Sequence, residues 1–119
     1  MKEELILKII QSFYDVAKKD FMIGYHFRFI ENFEEHIPRI AQFWNLQINQ
    51  QISDRSLLPF DLLGVHKGLG IKRGEIGRWI VLFEQNLEKF SELSNDDKKQ
   101  WMDKVRHFSE KLTNFLIQP

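Results

Sequence analysis

The sequence predicts an all-α domain, on two observations. Apolar residues recur at steps of three and four through several long stretches, and no stretch alternates apolar with polar residues as a half-buried strand does. The 119 residues suit one domain, spanning 1–119, with three or four long helices and two short ones.

From Glu3 to about Lys19 the apolar stripe is Leu5, Ile6, Ile9, Ile10, Phe13, Val16 and Ala17, with Tyr14 at its border. Asp20 to Gly24 reads as a break, and Tyr25 to Glu31 as a short aromatic segment of a turn or two. The next helix begins near Asn32 and fades around Ile48, with Phe33, His36, Ile37, Ile40, Phe43 and Trp44 on one stripe. Asn32 with Glu35 three residues on predicts a capping box, and Pro38 predicts a kink or an irregular first turn. Asn49 to Arg55 is polar and reads as a loop; Leu57 to His66 supports a short helix from Pro59. Lys67 to Gly77 carries four of the six glycines and predicts an irregular connection. Glu75 to Phe90 is strongly helical, with Ile76, Trp79, Ile80, Phe83, Leu87 and Phe90 in phase. Ser94 and Asp97 predict a cap on the last helix, Asp96 to Ile117, which turns Trp101, Val105, Phe108, Leu112, Phe115 and Leu116 inward.

Composition excludes several functions. The 17 basic and 17 acidic residues cancel, so no global field favours nucleic acid or an anionic membrane. Without cysteine there are no disulfides, thiolate nucleophiles or cysteine metal sites, which fits a reducing compartment. The opening MKEELILKII carries two glutamates and shows neither a secretory signal nor a membrane span, so a cytoplasmic location is expected. The unusual feature is 11 Phe and 3 Trp, which suit a core built around something flat as well as an ordinary helical core.

No pair among the four histidines has the helical i, i+4 spacing of a zinc hydrolase, and no Ser or Thr sits in a nucleophile elbow. KGLGIKRGEIG lacks the Walker spacing of a phosphate loop. The acidic residues are expected on solvent faces. His66 closes the apolar run Leu62, Leu63, Gly64, Val65 just before the glycines, where a ring nitrogen can face a cavity or bond a backbone carbonyl. His36, among Phe, Ile and Trp, is either a core residue or part of a pocket. A buried Tyr14 needs a partner for its hydroxyl: a carbonyl, a water or a ligand.

The series Phe13 and Tyr14, Gly24 with Phe27, the run HIPRIAQFW from His36 to Trp44, His66, then Trp79 with Phe83 resembles the truncated haemoglobins, most of all their third group. The resemblance covers about residues 10 to 90 and implies a globin-like, two-over-two helical sandwich holding haem b. It implies His66 as the proximal iron ligand. It puts Tyr14, His36 and Trp79 on the distal side. Phe27 would pack on the porphyrin, with Ile40, Phe43, Trp44, Leu63 and Phe83 completing the lining. Lys67, Lys72 and Arg73 are candidates for the propionates. The implied ligands are dioxygen, nitric oxide or peroxide, with redox or detoxification chemistry supplied with electrons by a separate reductase. The alternative is a haem-free helical module that takes an apolar ligand or a protein partner.

Overall fold

Helix α1, Glu3–Ala17, opens with two acidic residues in its first turn, where the helix dipole favours them. It buries Ile6, Ile9, Ile10, Phe13, Tyr14 and Ala17, so Tyr14 lies inside the stripe rather than at its border. The helix ends two residues before Lys19. In this computed structural model the described residues are 1–28, 30, 32–52, 66–67 and 69–116; they contain four α-helices and a 3-10 turn. Leu63, the rest of the segment 57–65, and the end of the predicted loop, 53–55, lie outside them.

The break after α1 is built by Asp20, whose carboxylate accepts from the backbone N–H groups of Met22 and Ile23 at 3.1 and 3.2 Å. Gly24 then passes close to α1: a Cβ there would stand 2.7 Å from the Lys18 carbonyl oxygen, which is why this position excludes larger residues. The 3-10 turn Gly24–Phe27 follows.

Helix α2 spans Phe33–Asn49 and runs on through Pro38. The expected capping box does not form. Asn32 takes the left-handed conformation, φ 52°, and makes no side-chain cap; its backbone carbonyl instead accepts from Glu35 N at 2.9 Å. The helix closes in the same way at Gln50, φ 58°, whose N–H donates to the Leu46 carbonyl.

Helix α3, Arg73–Glu88, begins inside the glycine-rich stretch and carries Gly74 and Gly77 as helical residues. That corrects the irregular connection expected through Gly77. The reason is local: Glu75, at the third helical position, reaches back and accepts from Lys72 N at 2.8 Å, which caps the first turn. Helix α4, Asn95–Leu116, starts where expected, with the Ser94 hydroxyl accepting from Asp97 N at 3.1 Å. It buries Trp101, Met102, Val105 and Ser109; Phe115, expected inward, is 42 % exposed.

α1 packs against α2 and α3; α4 packs against α3 and more lightly against α2. The α1–α3 seam is joined by Asn86, 1 % exposed, whose amide donates to the Ile9 carbonyl at 3.0 Å while its oxygen accepts from Ser12 at 2.8 Å. At the centre, Trp44, Phe83 and Trp101 meet ring to ring, with centroids 5.5–6.0 Å apart. Two buried donors, Asn45 Nδ2 and Trp101 Nε1, have no partner among the described residues. No helix among those residues is long and apolar enough to cross a membrane.

Candidate functional site

Where the helices diverge they leave one apolar cavity. α1 contributes Tyr14; the 3-10 turn and its flank contribute Ile23, His26 and Phe27; α2 contributes Ile40, Phe43 and Trp44. His66, Leu69 and Ile71 come from the segment before α3, Glu75, Ile76 and Trp79 from α3 itself, and Val105, Phe108, Ser109, Leu112 and Leu116 from α4. The cavity has a volume of about 110 Å³ and opens to solvent on one side.

Seven of the residues singled out from sequence meet at this cavity: Tyr14, Phe27, Ile40, Phe43, Trp44, His66 and Trp79. Phe83 lies one layer behind, fully buried, with Trp79 stacked on it at 5.0 Å and 17°. His36 is half-buried outside the lining, its ring 6.1 Å from that of Phe33. Lys67, Lys72 and Arg73 are exposed.

Tyr14 is held by aromatic neighbours on three sides, Phe13, Phe27 and Phe33, with ring centroids 4.9–5.7 Å away. Its hydroxyl has no hydrogen-bond partner among the described residues, and burial pushes its pKa above the ordinary tyrosine value. It therefore stays a neutral O–H donor. The Trp79 ring is held edge-on to Phe13 at 5.1 Å and flat on Phe83.

The polar end of the cavity is a cluster the sequence did not reveal. Glu75, expected in solvent, is 6 % exposed. Its Oε2 accepts from the Tyr25 hydroxyl and from His26 Nε2, the latter at 3.1 Å, while Oε1 accepts from Lys72 N. Burial pushes the Glu75 carboxyl up, but these three donors together outweigh it and hold the group below the usual carboxylate range. The Tyr25 hydroxyl is raised, first by its bond to Glu75. A signal was present: Glu75 stands four residues before Trp79, on the same stripe of the expected helix, but the acidic residues were expected on solvent faces. His26 carried no such signal, because its place depends on where the 3-10 turn docks.

Beside the cavity, Asp20 is buried under Arg78, which donates to it from Nη2 at 2.8 Å. That bond, with the N–H groups of Met22 and Ile23, keeps the Asp20 carboxyl below its usual range. Among the described residues no three His, Cys, Asp or Glu side chains converge as a metal cage. No family model, curated protein or solved structure matches this chain.

Proposed function

We propose that this chain is a haem protein of the two-over-two globin type that binds a diatomic ligand. One observation carries the reading. Residues chosen by their order in the sequence, from α1, the 3-10 turn, α2, the segment before α3 and α3 itself, meet around an apolar cavity that holds an imidazole and a phenol with no partner among the described residues. The donor set fits haem better than a bare ion. A histidine without two further ligating side chains cannot retain a free metal, whereas a porphyrin brings its own four nitrogens and asks the protein for an axial group.

In this reading His66 holds the iron. Phe27, Ile40, Phe43 and Trp44 cover the macrocycle and exclude water. Haem, when bound, supplies the iron that takes up dioxygen or nitric oxide. The remaining chemistry is the chain's own: the Tyr14 hydroxyl and the Trp79 indole donate hydrogen bonds to a small ligand in the cavity and slow its release, which favours ligand chemistry over bulk carriage. Turnover would draw electrons from a separate reductase. Membership of the third group of truncated haemoglobins belongs to the same proposal.

The test is optical. Purified protein, as isolated or given hemin, is expected to show a Soret band, and His66→Ala is expected to lose it while keeping its helical circular dichroism. Protein that stays colourless with added hemin would overturn the haem reading and leave the cavity to an apolar ligand.

A further inference from the structure

The haem reading leaves the polar end of the cavity without a task. There Tyr25, 41 % exposed, and His26, its side chain 9 % exposed, converge on Glu75. Both carboxylate oxygens already accept, one from Lys72 N and one from Tyr25 and His26, and as an acceptor-only group the carboxylate cannot donate to an anion. His26 is different. Nε2 is committed to Glu75, and Nδ1 has no partner among the described residues. The ring is fixed by that bond and by contact with the Tyr25 ring, tilted 32° to it with centroids 4.1 Å apart. Such a ring is an oriented polar group in a largely apolar wall.

The geometry points to His26 as the anchor for a carboxylate of the cavity's occupant, with Glu75 as its positioning residue. In the imidazolium form both ring nitrogens donate, so Nε2–H stays on Glu75 while Nδ1–H takes the second carboxylate. Cations stand nearby to offset a second carboxylate beside Glu75: the exposed Lys72 and Arg73 flank the first turn of α3. A proton relay fits less well, because a carboxylate held below its usual range is a poor carrier. The inference rests on the haem reading, in which the carboxylate is a porphyrin propionate.

The experiment compares hemin with hemin dimethyl ester, which keeps the macrocycle and loses both acids. Release of each porphyrin to excess apomyoglobin is followed by absorbance, and the ester-to-acid rate ratio is taken within each protein, so that any general loss of stability cancels. Wild type is expected to release the ester at least ten-fold faster than hemin. His26→Gln should lower that ratio about ten-fold, the worth of one charge-assisted hydrogen bond. Glu75→Gln should lower it less, and His26→Lys, which keeps a cation, should retain part of it. A ratio in His26→Gln equal to that of wild type, or a wild type that releases both porphyrins alike, would overturn the anchor while leaving the haem reading intact. A wild type that takes up neither porphyrin overturns both.

Discussion

The two halves of α3 do different work. Its C-terminal half, with Leu82, Phe83, Asn86 and Leu87, lies against α1 in a closed seam where the Asn86 amide oxygen and one of its N–H groups are bonded. Its first turns, with Glu75, Ile76 and Trp79, border an open cavity where the buried Tyr14 hydroxyl has no partner among the described residues. One amphipathic stripe runs through both halves. The difference lies in what faces it: α1 is continuous along the seam, while near the cavity α1 ends and gives way to a 3-10 turn. The closed half holds the fold together, and the open half has unmet bonding capacity to offer a ligand.

Mutations should separate the halves. The largest effect is expected from Leu87→Ala, since Leu87 is 1 % exposed in the C-terminal half of α3. It should cost about 2–5 kcal/mol in urea unfolding, with hemin affinity of the folded protein unchanged. Asn86→Ala should cost about 1–3 kcal/mol, as it removes both bonds to α1. A loss as large in hemin affinity as in stability would show that the halves are not independent.

The acid limb of stability sharpens the comparison on the cavity side. The folded Asp20 and Glu75 carboxyls lie below their ordinary values of 3.8 and 4.5. The unfolded chain therefore binds more protons, and stability rises with pH across that window. What these groups contribute is present above the ordinary values and is lost as pH falls through the folded ones. Arg78→Met should flatten the Asp20 part of this limb, as seen by circular dichroism between pH 5 and 2, roughly the range of carboxylate titration.

Tyr14→Phe should have the smallest effect on stability, within about 0.5 kcal/mol, because the hydroxyl has no bond to lose among the described residues. Its effect on the loaded protein should be large by contrast: dioxygen should leave about ten-fold faster by stopped-flow. An unchanged off-rate would remove Tyr14 from the ligand's surroundings.

The helices were legible because burial repeats along them. The Ile6, Ile9, Ile10, Phe13 stripe and the Trp79, Phe83, Leu87 stripe each need only local periodicity to be seen, as does the Ser94 cap with Asp97. The capping box at Asn32 was misread because its left-handed backbone, a choice made by the chain entering α2, turns the side chain away from the cap. Phe115 was misread because the described residues leave it 42 % exposed near the end of α4, and periodicity says where a face points but not how far its cover extends.

By itself, then, the sequence determined the helical class, the apolar stripes and the aromatic residues available for a flat cavity, since these depend on period and residue type. Only the tertiary structure decided that Tyr14, His66 and Trp79 border one space while Phe83 stands behind it and His36 outside it. It also decided that a glutamate lies buried between Tyr25 and His26. The physical reason is distance along the chain: Glu75 finds donors 50 and 49 residues away, and a partnership of that span is set by how helices dock, not by any pattern within them.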